Sequence, residues 1–280
     1  MLEDKRIDRI TVVGMGAMGG SLAALCRARA LAGEVVGCDH DAASLEIALR
    51  LGMVDRAEEE LFRAVMGSRL VVLALPLPEI FKVTRQLAPH LRPDVVLTCL
   101  AGTTARMYGQ ISQVAPECSG LVPGFPLVDS PGDGCAAASA DLLLGATVLL
   151  SRGGTADIGQ VERVAGIWRQ IGMSTEILDG PDFEQVVAAS RYLPDMVLQM
   201  FKVMHEDIGV SYDNNATLSG KMLSWARIRA DLSEPARQLY AAQLGRLLGS
   251  LASRLQQQLA GMGMSTGTAG AGEEGDGGNG

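Results

Sequence analysis

The sequence is poor in histidine and lacks patterned cysteines, and both absences limit the chemistry that the chain can carry out. Its 280 residues include only three histidines and five cysteines. The cysteines are scattered without a C-x-x-C pair, so the sequence predicts reduced thiols, a cytoplasmic protein and no metal site. Because histidine is the commonest general base, so few histidines leave few candidates for that role.

The sequence also lacks the runs of residues that mark membranes, export and nucleic-acid binding. No run of about 18 apolar residues is free of charge, so no membrane span is predicted. The N-terminus is charged and leads into the first predicted strand, unlike a signal peptide. The net charge is −8 and no basic run is present, which argues against a nucleic-acid partner. Hydrophobic residues make up 48% of the chain, enough to form a sizeable core.

A strand, a glycine turn and a helix are predicted near the beginning of the chain. Residues 10–13 are apolar or β-branched, as in a strand covered on both faces. The glycines that follow have G-x-G-x-x-G spacing, which permits a tight turn, a pyrophosphate close to the backbone, and close packing of helix on strand. The next helix would direct its free N–H groups and dipole at the phosphates. We therefore assign to cofactor binding Gly14, Met15, Gly16, Ala17, Met18 and Gly19.

An acidic residue follows the second predicted strand, at the position that binds ribose in such units. Residues 34–38 form this strand, and Asp39 comes about 20 residues after the last glycine. A carboxylate there accepts hydrogen bonds from the ribose hydroxyls and repels a 2′-phosphate. We therefore predict NAD rather than NADP as the cofactor, with His40 beside the acid able to weaken that preference. The alternative is a glycine-rich turn with a chance acid downstream.

Strands and helices then alternate, which predicts an α/β fold with a Rossmann-type, doubly wound parallel sheet. Ligands bind outside the carboxyl ends of such strands. We therefore add to the cofactor site Leu75 and Pro76 after one strand, and Ala101 and Gly102 after the next. The stretch 120–134, rich in glycine and proline, is expected to be a functional loop or domain rim, and a short helix is expected at 136–143.

After residue 180 only helical patterns remain, with a kink expected at Pro194. We predict a dinucleotide-binding domain at 1–179, an all-helical substrate and dimerisation domain at 180–260, and a disordered tail at 261–280, where nine of twenty residues are glycine. A leucine stripe in the last helix, 235–260, predicts a homodimer through the C-terminal helices. The alternative is that this helix folds on its own domain.

The order of these motifs resembles the prephenate and arogenate dehydrogenases, also called cyclohexadienyl dehydrogenases, across about residues 10–255. The matching segments are 12–22, 37–41, 70–76, 124–127, 134, 141–145, 193–194 and, more faintly, 227–228 and 234–235. The resemblance implies an oxidoreductase of tyrosine biosynthesis that oxidatively decarboxylates prephenate or arogenate. It also implies that NAD accepts a hydride, that a histidine takes a proton from the substrate hydroxyl, and that an arginine holds a substrate carboxylate.

Several residues depart from the pattern of that family. Phe125 stands in place of the catalytic histidine and Gly102 in place of the serine that supports it, while Tyr192 and Asp195 replace two further histidines. Loss of a general base alone would lower the rate about 10²- to 10⁴-fold. The catalytic residue is therefore unknown, and its candidates are Tyr192 and Asp195, which at i, i+3 spacing can share a helix face. The candidate substrate-binding residues are Phe125, Arg191, Tyr192, Arg227 and Arg229.

Three functions follow from these observations. The chain is a dehydrogenase of prephenate or arogenate, or it is a dehydrogenase of a different cyclic carboxylic acid with Tyr192 or water as the base. Alternatively, it binds NAD without catalysis and acts as a sensor or scaffold. A structural alternative applies to the candidate residues as well: Tyr192 would be a half-buried packing residue, Asp195 would be solvated, and the arginines would lie on the surface.

Overall fold

A sheet of eight strands organises the part of the chain that the computed structural model describes, namely residues 7–92, 94–101, 120–128, 132–153, 156–207 and 241–261. The strands are β1 Ile7–Val13, β2 Ala32–Cys38, β3 Arg56–Glu58, β4 Leu70–Leu73, β5 Val96–Cys99, β6 Leu121–Pro126, β7 Thr147–Ser151 and β8 Ser174–Leu178. The helices are α1 Ala17–Ala28, α2 Ala42–Arg50, α3 Leu61–Val65, α4 Leu77–Leu87, α5 Ile158–Ile171, α6 Gly180–Val187, α7 Leu193–Asp207 and α8 Ala241–Gly261.

The strand order, β3-β2-β1-β4-β5-β6-β7-β8, confirms the predicted Rossmann-type fold. Strands β1 to β6 are parallel, β7 is antiparallel to β6, and β8 is parallel to β7. The last two strands therefore run against the predicted direction. In the described parts of the connection from β6 to β7, only short 3₁₀ turns occur (Cys135–Ala137 and Ala140–Leu142), so the chain re-enters the sheet at the edge where it left.

Strand β6 corrects the prediction of a loop over residues 120–134. Its two prolines suggested a loop, yet Leu121 and Val122 pair with β5 and are fully buried, one in the hydrophobic cluster on each face of the sheet. Burial of one such side chain stabilises the folded state by about 1.5–3 kcal/mol. The backbone hydrogen bond that a proline cannot donate contributes less, about 0.5–1.5 kcal/mol. Thr98 Oγ1 also donates to the Val122 carbonyl at 2.7 Å. The short edge strand β3 was not predicted either.

The two faces of the sheet form separate hydrophobic clusters. One cluster lies under α1, α2 and α5, and its largest buried side chain is Trp168. The other lies under α3, α4 and α6 and includes Phe183, together with Tyr192 and the first buried leucine of α8, Leu244. Cover on both faces explains why the parallel strands are continuous apolar runs. Within the described ranges, no helix is both long and apolar enough to cross a bilayer.

The helical half begins with a long helix that contains a wide turn. A π-turn, Ala188–Tyr192, separates α6 from α7 and ends two residues before Pro194. Because proline has no N–H for the preceding turn, a local widening accommodates it where the sequence predicted a kink. Gln243 Nε2 donates to Glu184 Oε2 at 2.7 Å, so the start of α8 packs on its own chain. Residues 208–240 and 262–280, including almost all of the predicted tail, lie outside the described residues.

Candidate nucleotide-binding site

The glycine turn between β1 and α1 has the shape that its spacing predicts. Gly14 has φ +97°, and a Cβ there would lie 2.4 Å from the Ala74 carbonyl oxygen. A Cβ on Gly19 would lie 1.8 Å from the Gly14 oxygen, so neither position accepts a side chain. At Gly16, by contrast, a Cβ would meet nothing within 4 Å. The space in front of Gly16 is therefore open, and the backbone leaves room there for a pyrophosphate.

The first turn of α1 faces this open space without a competing side chain. Gly16 is the N-cap residue, so it offers no side-chain cap, and the first turn contains no acidic residue. The N–H groups at the beginning of a helix have no partner within the helix and carry its positive dipole end. The turn therefore suits the phosphates of a dinucleotide, and the predicted residues Met15, Ala17 and Met18 belong to it.

Asp39 lies at the carboxyl end of β2, beside the glycine turn. Its Oδ2 accepts a hydrogen bond from the Met15 N–H at 2.6 Å, and its Oδ1 accepts one from the Asp41 N–H at 3.0 Å. The side chain is 12% exposed. The backbone thus holds the carboxylate close to the turn, with an edge that still reaches solvent. This is the arrangement that ribose hydroxyls require.

His40 covers the outer side of this acid. Its Nδ1 lies 2.9 Å from Asp39 Oδ1, while its side chain is 99% exposed. An imidazole that donates to a carboxylate lowers the negative charge in front of the ribose when it is protonated. The structure therefore places the side chain of His40 in contact with that of Asp39, its neighbour in the sequence.

The ends of the neighbouring strands complete the edge. Leu75 follows β4 and lies beside the glycine turn. A Cβ added to Gly14 would be only 2.9 Å from Leu75 Cδ2. Pro76 is the exposed N-cap residue of α4, and Ala101, which is half-buried, follows β5. These three predicted residues lie at the same edge of the sheet. The fourth, Gly102, lies outside the described residues.

Sequence reasoning missed the contact between the segment after β6 and helix α1. The Ser139 N–H donates to Ser21 Oγ at 2.9 Å, and Ser21 Oγ–H in turn donates to the Ala17 carbonyl at 2.6 Å. Both 3₁₀ turns of this segment replace the short helix predicted at 136–143. A signal was present in its run of small residues, which lets the segment approach Gly20 closely: a Cβ there would lie 2.7 Å from Ala138 Cβ.

The catalytic candidates lie on the π-turn and the start of α7. Both Tyr192 and Asp195 are buried, so Asp195 is not the solvated residue of the alternative reading. Asp195 Oδ2 lies 3.5 Å from Nε of Arg191, whose side chain is 42% exposed. Desolvation raises the pKa of Tyr192 to about 12, with Arg191 lowering it and Asp195 raising it. Tyr192 therefore stays protonated at neutral pH and can donate a hydrogen bond, but it is a poor base.

The sheet topology brings this turn towards the nucleotide edge. Strand β8 runs opposite to β1–β6, so α6 starts at their amino edge and returns along β7 towards their carboxyl edge. Phe125, at the carboxyl end of β6, belongs to the same hydrophobic cluster as Tyr192, Leu75 and Ala101. The remaining substrate-binding candidates, Arg227 and Arg229, lie outside the described residues.

The cysteines of the described chain offer no reactive thiol. Cys26, Cys38, Cys99 and Cys135 are free and buried. Desolvation raises the pKa of Cys26 and Cys38 to about 12 and that of Cys99 to about 11. Over the residues that the structure describes, no group of three or more histidine, cysteine or acidic side chains could hold a metal ion.

Comparison with known proteins identifies the family of this chain. Residues 22–177, more than half of the chain, match the nucleotide-binding domain of prephenate dehydrogenase. The prephenate dehydrogenase of Bacillus subtilis (strain 168) is 26% identical over 194 residues, which cover 65% of this chain and 52% of the relative. The cyclohexadienyl dehydrogenase of Zymomonas mobilis is 23% identical over 67% of this chain and 64% of the relative. The chain thus matches between half and two thirds of the length of these relatives.

Solved structures share the fold over almost the whole chain. The prephenate dehydrogenase of A. aeolicus, in complex with hydroxyphenyl propionate and NAD+, superposes with a TM-score of 0.79 at 19% identity and covers 93% of both chains. Arogenate dehydrogenase of Synechocystis gives a TM-score of 0.71 at 23% identity and covers 91% of this chain and 92% of that one. The match to a nucleotide-binding domain confirms the prediction of a nucleotide cofactor, and the chain belongs to the prephenate dehydrogenase family.

Proposed function

We propose that this chain is a cytoplasmic, NAD-dependent dehydrogenase that oxidises prephenate, arogenate or a related cyclic carboxylic acid. The observation that carries the proposal is the pairing of Asp39 with the glycine turn at 2.6 Å, next to the open space at Gly16. This geometry suits the ribose and the pyrophosphate of a dinucleotide together. The family supports the substrate class and a role in tyrosine biosynthesis.

In this proposal the first domain, 1–179, holds the cofactor, and the helical domain, 180–260, closes the substrate site. The backbone N–H groups at the start of α1 bind the pyrophosphate, while Asp39 accepts hydrogen bonds from the adenosine ribose. NAD, when bound, supplies the acceptor for the hydride. The carboxyl edge at Leu75, Ala101 and Phe125 gives the nicotinamide and the substrate a largely apolar surrounding.

The proton of the substrate hydroxyl needs an acceptor other than the residue at position 125. Phe125 cannot take a proton, and Tyr192, protonated at neutral pH, serves as a hydrogen-bond donor that orients a substrate oxygen. The Asp195 carboxylate, held near Arg191, and water are the remaining acceptors. Arg191 is half-exposed and can also attract the carboxylate of the substrate.

Calorimetry and absorbance together test this proposal. We expect NAD to bind to the purified chain, and NADH absorbance to rise when prephenate or arogenate is added. If NAD binds and the chain oxidises another cyclic acid but neither prephenate nor arogenate, the chain is a dehydrogenase with a different substrate. Absence of NAD binding would refute the proposal as a whole.

A non-catalytic NAD sensor or scaffold is the second candidate, favoured by the apolar Phe125 and the protonated Tyr192. The double variant Phe125→His with Gly102→Ser restores the family pattern at two positions and separates the two functions. If the pocket is otherwise intact, prephenate oxidation should increase by about 10²- to 10⁴-fold, the usual contribution of a general base. If the parent and the variant both bind NAD without turnover on any acid, the sensor function is favoured.

We also propose that two copies of the chain associate through their C-terminal helices. Met200, Val203 and Met204 on α7 are more than half exposed, and so is Leu255 on α8, while Leu251 is 46% exposed. Exposed apolar residues at such spacing are typical of a helix that packs against a partner. Light scattering of the variant Leu251→Glu with Leu255→Glu should show monomers where the parent shows dimers. Leu51→Glu, which changes an exposed leucine at the end of α2, is the matched control.

A further inference from the structure

The loop after β2 holds two negative charges in fixed positions. Asp39 accepts hydrogen bonds on both oxygens, from the backbone N–H groups of Met15 and Asp41. Its carboxylate cannot turn away without breaking at least one of these bonds. A phosphate on the 2′ position of the ribose would therefore approach a carboxylate that is fixed in position.

Asp41 is held as firmly as Asp39, although it is exposed. Its carboxylate caps α2 by accepting from the N–H groups of Ala43 and Ser44, at 3.2 and 3.1 Å, and from Ser44 Oγ at 2.7 Å. The Ser44 hydroxyl, followed by the Ala43 N–H, keeps the pKa of Asp41 below its usual range. The hydrogen bonds to Asp41 therefore stabilise its charged form beside Asp39.

Between the two acids stands His40, the one basic side chain of residues 39–41. Its Nδ1 lies 2.9 Å from Asp39 Oδ1, and its side chain is almost fully exposed to solvent. Histidine is the side chain whose charge ordinarily changes between about pH 5 and 8. A protonated ring here would oppose the charge of Asp39 and face an incoming anion.

The other titratable groups around the loop do not offer this response. The pKa of the Cys38 thiol at the end of β2 is raised by burial and then, in smaller amounts, by the negative charges of Asp39, Glu58 and Glu60. Burial, the larger cause, keeps the Cys38 thiol neutral, with a pKa of about 12. Desolvation, with a smaller contribution from the charge of Asp39, also raises the pKa of the Cys135 thiol.

We propose that His40 sets how strongly this chain rejects a 2′-phosphorylated nucleotide, and that this rejection weakens as the imidazole gains a proton. The inference rests on the proposed function, because it assumes that the dinucleotide places its ribose at Asp39. NAD, which has hydroxyls at this position, gains little from the imidazolium. NADP gains a counter-charge beside two carboxylates that otherwise repel it, so the selectivity of the site depends on pH.

The experiment compares dissociation constants for NAD and NADP by calorimetry at about pH 6 and about pH 8, on either side of the range in which histidine titrates. The variants are His40→Asn, which keeps a donor for Asp39 but no charge, and the control His90→Asn, whose side chain contacts Phe62 beyond the far end of α4. The 2′-phosphate of NADP also changes its charge, at about pH 6. This affects all three proteins equally and cancels in the comparison.

We expect the ratio of the NADP to the NAD dissociation constant to rise from the lower to the higher pH by about fivefold more in the parent than in His40→Asn. This factor corresponds to an exposed ion pair of about 1 kcal/mol. The His90→Asn control should follow the parent. If His40→Asn and the parent change equally, the inference is wrong while the proposed function stands. If the parent binds neither nucleotide, the proposed function fails and this inference fails with it.

Discussion

Replacement of Asp39 by asparagine tests the nucleotide site most directly. The change preserves the size of the side chain but removes its charge and one of its two acceptor oxygens. The ribose would lose a hydrogen bond to a charged group, which contributes about 1.5–3 kcal/mol. We therefore expect NAD to bind about 10- to 150-fold more weakly, as measured by isothermal titration calorimetry at neutral pH.

The same substitution also lowers the free energy of unfolding, and the structure shows which hydrogen bonds are involved. In Asp39→Asn, the amide NH₂ would face either the Met15 or the Asp41 N–H, so one backbone donor loses its acceptor. An unpaired donor of this kind costs about 1–3 kcal/mol of unfolding free energy. Urea denaturation should show this loss alongside the weaker binding.

Asp55→Asn is the matched control. Asp55 Oδ2 accepts the Val35 N–H at 2.8 Å, and its Oδ1 lies 3.0 Å from Arg27 Nη2, so its replacement removes similar bonds from the preceding part of β2. It should lower the stability by a similar amount and leave NAD affinity unchanged. If Asp39→Asn binds NAD as tightly as the parent and Asp55→Asn do, the ribose does not contact Asp39 and the reasoning is refuted.

Three further predictions concern the glycine turn, a helix end and the buried tyrosine. Gly16→Val should abolish NAD binding with little loss of stability because its Cβ points into open space, whereas Gly14→Val should unfold the protein; thermal denaturation with calorimetry distinguishes the two. Ala30→Gly should raise the unfolding free energy by about 0.5–1 kcal/mol in urea denaturation, because Ala30 closes α1 with φ +49°; unchanged or lower stability would contradict this. Because the pKa of Tyr192 is raised to about 12 on folding, its ionisation opposes folding above about pH 10, so the parent should lose stability relative to Tyr192→Phe between about pH 10 and 12. A constant difference in unfolding free energy across that range would disprove it.

The nucleotide half of the site could be predicted because its determinants are local. The glycines act through backbone geometry within one turn, so their spacing alone defines where Gly14 and Gly19 must lie against neighbouring backbone. Asp39 follows from the length of one helix and one strand, since a β-α-β unit places the end of its second strand beside its first turn. Continuous apolar runs likewise identified β1, β4 and β5, which are buried on both faces, although β6 was missed.

Tertiary packing alone decided the rest, because the energies concerned come from contacts distant in sequence. Burial of Leu121 and Val122 in the two hydrophobic clusters outweighs the prolines of β6, and the antiparallel pairing of β7 with β6 reverses the last two strands. Pro194 predicted a break in the helix, but the burial of Asp195 and the raised pKa of Tyr192 come from packing against residues distant in sequence, which no local pattern shows. Sequence therefore determined which nucleotide chemistry this chain can support, and only the folded structure decided the environment in which the substrate candidates would act.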